Sequence, residues 1–336
     1  MRADPATAGT SRDATERAEP GAGGLREAAR RLAREYRSLR GQRWGNVWGY
    51  VFIAPALALF LVFNVWPIFR GFAMAFTDYR YLIPHSEWAW NGAGNFQEMF
   101  TNDTQFWPSF GISLKYTLLS FPANLVLSLV VAIVISQVQS AYFSGAYRVI
   151  TYLPVILPIS VALLLWNQLY NLQFGYFNLV LHGVFGVKSP PNWLGDTGLA
   201  LPSVVVASVW KEFGANTLLF LAGIYAINRE LYEAASIDGA GTLAQIRGIT
   251  LPLLRPIFVL IIVLNAGLFG ATEQALIMTN GGPQNATLTL GLYIYQQAFQ
   301  FGDLRLGYAA AMSLLLGLIH MVLAGVTFRV LRTERT

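Results

Sequence analysis

Six long apolar stretches are the feature that most constrains how this chain can fold. A bilayer has a hydrocarbon core of about 30 Å, and a helix needs about 20 apolar residues to cross it. The six stretches reach that length, and they lie near residues 48–70, 113–137, 148–170, 200–227, 256–278 and 307–330. Several prolines fall within them, which spanning helices tolerate when neighbouring helices satisfy the freed backbone groups. The sequence therefore predicts an all-α integral membrane protein with six transmembrane helices.

The composition agrees with lipid as the solvent for most of the chain. Only 12% of the 336 residues are charged and 54% are hydrophobic, whereas soluble domains carry about 25% charged residues. The absence of cysteine excludes a disulfide scaffold, a thiolate metal site and a cysteine nucleophile. The three histidines, His85, His182 and His320, are far apart in the sequence. We therefore expect neither a metal site nor a cofactor in this chain.

The distribution of lysine and arginine predicts which side of the membrane each loop faces. With six spans, both termini lie on the same side as the loops 138–148 and 228–255. These segments together hold 17 of the 23 lysines and arginines, the opposite loops hold five, and Lys211 lies within the fourth span. Because cytoplasmic loops are enriched in positive residues, both termini are predicted to be cytoplasmic.

Two regions are predicted along the chain: a cytoplasmic N-terminal tail of residues 1–47 and a membrane domain of residues 48–336. The first 24 residues have the composition of a disordered tail. Between residues 25 and 40, apolar residues recur at helical spacing against arginines. This pattern predicts either a basic helix on the anionic inner leaflet or a solvated signal that fixes orientation. It does not resemble a nucleic-acid-binding motif.

The cytoplasmic stretch 228–252, between the fourth and fifth spans, predicts two short helices. Asn228 suits a helix N-cap with Glu230 in the first turn, and the helix is expected to end near Gly239. A second helix is expected near residues 242–249 and should stop before Pro252. The sequence therefore predicts a helix, a glycine bend and a helix outside the membrane.

The same stretch has a recognisable spacing: Glu-Ala-Ala, three residues, Gly, nine residues, Ile, one residue, Leu-Pro. The positions are Glu233, Ala234, Ala235, Gly239, Ile249, Leu251 and Pro252, with Asp238 beside the glycine. This spacing resembles the EAA loop of bacterial ABC importer permeases. Four further segments are similar to the sugar-type permeases of the maltose, multiple-sugar and glycerol-phosphate importers, namely residues 94–96, 152–154, 193–195 and 279–283.

The resemblance implies a permease of the bacterial cytoplasmic membrane that imports carbohydrate as part of a complex. Its implied partners are a second homologous permease subunit, two cytoplasmic ATP-binding subunits and an extracytoplasmic solute-binding protein. The chain lacks a Gly-x-x-x-x-Gly-Lys-Ser/Thr motif, so it is expected not to be an enzyme, and ATP and Mg²⁺ should bind to the partner subunits. The loop is expected to couple ATPase motion to alternating access. Its two alanines would allow close approach, and Glu233 would pair with a basic group.

Polar residues within the spans are candidates for substrate contact, because burying them in lipid is costly. They are Asn167, Gln168, Lys211, Glu212, Asn216, Asn265, Glu273 and Gln274. The resemblance implies substrate contacts on the fourth and fifth spans. The predicted substrate path is Trp210, Lys211, Glu212, Phe213, Asn216, Leu264, Asn265, Gly267, Leu268, Ala271 and Glu273. Several of these are apolar, which argues against maltose, and the polar ones have hydrogen bonding between helices as an alternative role.

Three other functions compete with carbohydrate import. A glycerol-phosphate or polyol importer would need cations near the phosphate, and Lys211 is the one cation within a span. A secondary transporter would explain the acids Glu212 and Glu273 but not the 228–252 loop, and no inverted repeat is apparent. An intramembrane enzyme would need a nucleophile and base or a metal set, and none converges in the sequence.

Overall fold

The structure is a computed structural model that describes residues 43–84, 89–138, 140–265 and 270–332. Within these ranges the regular elements are helices, and extended backbone pairs in one isolated bridge between Thr77 and Trp90. The chain divides into two compact units, Met1–Ile68 and Phe69–Thr336. The predicted N-terminal tail lies outside the described residues as far as residue 42, and the first helix begins at Arg43.

The first unit contains α1 (Arg43–Phe60), which continues through a π-helical turn (Leu61–Val65) into α2 (Trp66–Met74), within which the unit ends. The helices of the second unit follow in chain order. They are α3 (Gly94–Thr101), α4 (Phe106–Ser136), α5 (Ala141–Ile156), α6 (Ile159–Leu169), α7 (Tyr176–Phe185), α8 (Ala200–Tyr225), α9 (Arg229–Ile237), α10 (Thr242–Gln245), α11 (Leu251–Leu253), α12 (Arg255–Leu264), α13 (Thr272–Met278), α14 (Leu290–Phe299) and α15 (Leu306–Arg332).

Among the described residues, four continuous helical stretches are long and apolar enough to cross a bilayer. They are Gly49–Met74, Phe106–Ser136, Ala200–Tyr225 and Leu306–Thr327. Two more spans are helix pairs with a bend, Tyr142–Ile156 with Ile159–Leu169 at 96° and Thr242–Leu253 with Arg255–Leu264 at 60°. The all-helical membrane fold is confirmed, and the number of spans is six when each bent pair counts as one.

The third predicted span, 148–170, is wrong as a single straight helix. Leu157 is extended (ψ 136°) between α5 and α6, and Pro158 stands at the N-cap of α6. The ring of a proline clashes with the preceding residue when that residue is helical, so Leu157 leaves the helical conformation. The expected tolerance of proline holds elsewhere, since Pro55, Pro122 and Pro154 lie inside helices.

The fifth predicted span, 256–278, is also wrong as one helix. α12 ends at Leu264, and α13 begins at Thr272 after Ala271, whose φ of 36° lies in the left-handed region. The connecting sequence contains Gly267 and Gly270, and each glycine lowers helix propensity by about 1 kcal/mol relative to alanine. The fifth span is therefore the bent pair that begins in the loop and ends at Leu264.

The core of the second unit is built around α8, which packs along α4. The buried positions of α4 recur every three or four residues and are mostly small or polar. They include Ser109, Ser113, Tyr116, Ser120, Asn124 and Ser128. Small side chains let membrane helices approach closely. The contact between α8 and α5 is equally tight, because a Cβ on Gly214 would lie 2.2 Å from the carbonyl oxygen of Thr151.

Polar side chains also hold together the segments around Asn95 and Arg305, at the end of this unit away from α9. Asn95, which belongs to the family-like segment 94–96, is fully buried. Its Nδ2 donates to the carbonyl oxygens of Ala75 at 2.8 Å and Thr77 at 2.9 Å. The Arg305 guanidinium donates two hydrogen bonds of 2.6 Å to the Glu98 carboxylate. These bonds raise the pKa of Arg305 above its ordinary value, so its guanidinium stays positively charged.

Candidate functional site

The first helix of the 228–252 loop forms as predicted. Asn228 is its N-cap, and the Oδ1 atom accepts a hydrogen bond from the backbone N–H of Glu230 at 3.0 Å. The helix ends at Ile237, and Gly239 follows with a φ of +81°. A Cβ at Gly239 would have open space around it. Glycine is therefore required there for the left-handed backbone conformation and not for a close contact.

The second helix of the loop extends further than predicted, and the expectation that it stops before Pro252 is wrong. The chain stays helical from Thr242 to Leu253, through a π-helical turn at Ile246–Thr250. In a regular α-helix the proline ring would clash with the carbonyl group four residues earlier. A π-helical turn shifts the hydrogen bonds by one residue and relieves that contact. The 60° bend follows at Leu254.

Side-chain hydrogen bonds hold the two helices of the loop together. The hydroxyl oxygens of Tyr232 and Thr250 lie 2.9 Å apart. The Gln245 Nε2 donates to the Ser236 Oγ at 2.8 Å and to the carbonyl oxygen of Ala240 at 3.1 Å. Sequence reasoning missed these four side chains, because each pair lies on two helices whose relative rotation the sequence leaves open. The loop is thus an internally braced unit.

The outer face of α9 is open to solvent. Glu233 is exposed and forms an i,i+4 ion pair of 3.7 Å with Arg229. Ile237, one turn further along the same face, is 88% exposed. Sequence reasoning missed Ile237, although a large aliphatic residue in a polar loop is a usable signal. Ala234, Asp238 and Pro252 are also exposed, and Ala235, Ile249 and Leu251 are half-buried.

A cleft with a volume of about 840 Å³ separates the loop from the ends of α4 and α8. Its polar lining residues include Ser136, Tyr225, Arg229, Tyr232, Thr242, Gln245 and Thr250. Arg148, on α5 nearby, donates to the Tyr225 hydroxyl at 3.0 Å. The cleft therefore lies between the loop and the ends of these membrane helices.

The predicted substrate-path residues Lys211 and Glu212 bind different neighbours. The Lys211 Nζ donates to the carbonyl oxygen of Val155 at 3.3 Å. The Glu212 Oε1 accepts from the Gln274 Nε2 at 3.4 Å. Consecutive residues of an α-helix point about 100° apart, which accounts for this divergence. Gln274 is buried and faces Glu212, whereas Glu273 is exposed.

Asn216 and Asn265 meet in a buried amide network that links three helices. Asn216, only 5% exposed, exchanges hydrogen bonds of 3.3 and 3.5 Å with Asn265. It also donates to the Asn124 Oδ1 at 2.7 Å. The single hydroxyl hydrogen of Ser128 can be donated to the carbonyl oxygen of Phe213 at 2.9 Å or to the Asn124 Oδ1 at 3.3 Å. Asn124 is missing from the predicted path, although an asparagine within a span is a signal that the polarity rule detects.

The other predicted path residues are spread over different environments. Trp210 packs against Trp166, with ring centroids 5.7 Å apart and near-perpendicular planes. Ala271 is buried, and Leu264 is exposed. Gly267 and Leu268 lie outside the described residues. The structure thus brings together Glu212 with Gln274 and Asn216 with Asn265, but it turns Leu264 and Glu273 to the surface.

A second cleft, of about 820 Å³, opens at the other end of α4. Its polar lining consists of Gln105, Ser109, Lys115, Thr197, Gln284 and Asn285, and the remaining lining residues are mostly apolar. Asn285 donates to the Gln105 Oε1 at 3.1 Å across it. The predicted path did not include this cleft.

The chain is similar to transport proteins of known family. Residues 124–332 match the family described as "Binding-protein-dependent transport system inner membrane component". The chain is 34% identical to the probable ABC transporter permease protein YesP of Bacillus subtilis, over 84% of this chain and 91% of that one. It is 32% identical to the trehalose/maltose transport system permease protein MalF of Thermococcus litoralis, over 78% and 86%. The structure is also similar to a chain of a bacterial alginate ABC transporter, which was solved in complex with an alginate pentasaccharide-bound periplasmic protein. The two chains superpose with a TM-score of 0.74 and are 25% identical. The match covers 88% of this chain and 99% of that one.

Proposed function

The chain belongs to the family of binding-protein-dependent transport system inner membrane components, whose members are transport subunits and not enzymes, and from this we propose that it imports carbohydrate at the expense of ATP. It does so as one of two homologous permease subunits. Two cytoplasmic ATP-binding subunits carry ATP and Mg²⁺, and an extracytoplasmic solute-binding protein delivers the sugar.

Carbohydrate is favoured over a phosphorylated polyol by the polar groups inside the membrane domain. Sugar hydroxyls need fixed donors and acceptors, and an aromatic face suits a pyranose ring. Glu212 and Gln274 supply such groups, and Trp210 precedes Glu212 by two residues on α8. A phosphate would need cations, and the Lys211 ammonium is already bonded to a backbone carbonyl. Two of the similar proteins are named for trehalose/maltose and alginate.

The exposed outer face of α9 is the observation that carries the coupling role. Ile237 is 88% exposed on α9, which lies outside the spans, so its side chain is available to be buried against a partner. Glu233 on the same face offers a carboxylate to a basic group of the partner. A rigid knob held in a groove of an ATP-binding subunit would move when that subunit closes. The spans would then open alternately to each side of the membrane.

Co-purification with the ATP-binding subunits tests this function. We expect Glu233→Lys, Gly239→Pro and Ile237→Ser to leave membrane insertion intact but to lower both retention of the ATP-binding subunits and sugar transport by ~10-fold or more, as for residues central to an interface. Gly239→Pro acts differently from the other two, since proline cannot adopt the positive φ of this position.

Glu230→Lys is the matched control, because Glu230 is an exposed acid of the same helix outside the EAA spacing. It should weaken the helix slightly, because it loses the exposed 3.1 Å hydrogen bond from the Asn228 Nδ2 and a favourable dipole interaction of about 0.3–1 kcal/mol. Wild-type retention and transport in all three test variants would show that α9 is not the coupling element.

A further inference from the structure

We infer that the hydrogen bond between the Tyr232 and Thr250 hydroxyls positions the membrane helices during coupling, by transmitting the movement of α9 to the span that follows it. The inference rests on the proposed function of the loop. It assigns a role to Tyr232 and Thr250, which lie outside the Glu233–Ala234–Ala235 docking positions. Their two hydroxyl groups form the hydroxyl pair.

On the loop side, α9 has two faces with different contacts. Glu233 and Ile237, four residues apart, form the exposed outer face. Tyr232 and Ser236, also four residues apart, face the second helix of the loop, where they bond to Thr250 and Gln245. Besides the backbone link to α8, the inner face therefore offers a route by which a force on the outer face reaches the rest of the chain.

On the membrane side, Thr250 is firmly held. It is 4% exposed and ends the π-helical turn, and its carbonyl oxygen accepts the backbone N–H of Leu254 at 3.0 Å. Leu254 is fully buried in a cluster that includes Phe220 and Ile261. Movement of Thr250 must therefore displace the root of α12, because a close-packed core transmits strain.

From Thr250 the path leads to the centre of the membrane domain. α12 is a continuous helix of 10 residues, which corresponds to a length of about 15 Å. At its end Asn265 joins the amide network with Asn216. A displacement at the loop can thus reach the polar groups between the spans through one rigid element.

The alternative contacts of the loop do not provide this connection. The bonds of Gln245 to Ser236 and Ala240 join the two loop helices to each other and end at half-buried or exposed residues. Tyr232 and Thr250 both line the 840 Å³ cleft, so the hydroxyl pair lies at its edge. The hydroxyl pair, in contrast, joins α9 to the buried Thr250 at the membrane end.

The test uses the assembled complex of this chain with its second permease and ATP-binding subunits in nanodiscs. Spin labels at Thr197→Cys and Gln300→Cys report the separation of two exposed positions on the far side of the spans, and the chain has no native cysteine. ATP with vanadate is the probe. Two quantities are measured: the nucleotide trapped by the complex and the shift in label separation upon trapping.

We expect Tyr232→Phe and Thr250→Val to assemble and trap nucleotide like the wild type but to lose most of the distance shift, with transport reduced several-fold. The double variant should lose no more than either single one, because both remove the same bond. Thr250→Ser, which keeps a hydroxyl, should restore the shift. Thr242→Val is the matched control, since Thr242 is a hydroxyl residue of the same cleft, and it should behave as wild type.

Three results would each overturn the inference. They are a wild-type distance shift in both single variants, additive losses in the double variant, and a Thr250→Ser protein that behaves like Thr250→Val. If Thr250→Val fails to assemble, the distance shift of Tyr232→Phe decides alone, because Tyr232 is only half-buried. Failure of the wild-type chain to bind ATP-binding subunits would instead overturn the proposed function, so the two failures are distinguishable.

Discussion

Individual polar residues in the spans separate into two kinds according to their partners. Asn216 forms hydrogen bonds to side chains on two other helices, which is the role of interhelical contact that the sequence left open. Glu212 is half-buried and has one long hydrogen bond to Gln274, so its carboxylate keeps acceptor capacity. Glu212 is therefore the better candidate for contact with a sugar hydroxyl.

Glu212→Ala should lower sugar transport by about tenfold at subsaturating substrate, which corresponds to the loss of ~1.4 kcal/mol from a hydrogen bond. Assembly and basal ATP hydrolysis should stay unchanged, because the side chain is not part of the amide network. Uptake of labelled sugar into proteoliposomes measures the effect.

Glu273→Gln is the control for Glu212→Ala, since Glu273 is the exposed acid next to Gln274, the hydrogen-bond partner of Glu212. It should transport normally. Asn216→Ala should differ from both, lowering the stability of the membrane domain by about 1 kcal/mol through lost interhelical bonds. Normal uptake by Glu212→Ala would assign this carboxylate to packing.

At the scale of the elements, close helix contact depends on single glycines. Gly214→Ala would bring a Cβ to within 2.2 Å of the Thr151 carbonyl oxygen, so α5 and α8 must separate. We expect a destabilisation of about 1–3 kcal/mol, as for other overpacked contacts. A thermal melt of the full chain in detergent would show a lower midpoint.

Gly317→Ala, on α15, is the matched glycine substitution, because nothing lies within 4 Å of a Cβ there. It should be neutral or slightly stabilising, since alanine is the better helix former by about 1 kcal/mol. Equal melting midpoints for the two variants would contradict the tight contact between α5 and α8.

The sequence predicted those elements whose signals are local. α9 follows from the N-cap Asn228 and from Gly239, both of which act within one helical turn. The π-helical turn before Pro252 has no such signal, because the hydrogen-bond register around a proline depends on what the helix packs against. Leu157 did carry a signal, since it precedes Pro158, but hydropathy alone treats the run as continuous.

The candidate site was predictable only in part, for the same reason. The Glu233 motif is a contiguous pattern, whereas Tyr232 and Thr250 are 18 residues apart and meet only after the two loop helices fold together. Likewise, the polarity rule pointed to Asn216 and Asn265, but their pairing depends on the relative rotation of α8 and α12.

At the scale of the whole molecule, large apolar side chains are exposed on the outside of the membrane helices, while small and polar side chains are buried beside the apolar core. On α4 the inward stripe includes the buried Ser120, Asn124 and Ser128, while Val126 and Val130 on the opposite side are exposed. Such an arrangement would aggregate in water but suits lipid or a partner permease as the surroundings. The bilayer is thus the solvent that makes this fold stable.

The orientation in that bilayer is the last prediction, and it concerns the whole chain. The 17 to five bias of lysine and arginine predicts that the 228–252 loop is cytoplasmic. Because the chain has no native cysteine, Ser236→Cys and Ser189→Cys can each be labelled alone, and both positions are exposed. In sealed cells a membrane-impermeant maleimide should react with Ser189→Cys only, and both should react after permeabilisation. Labelling of Ser236→Cys in sealed cells would show that the true orientation is the reverse of the predicted one. It would also turn α9 away from any cytoplasmic ATP-binding subunit.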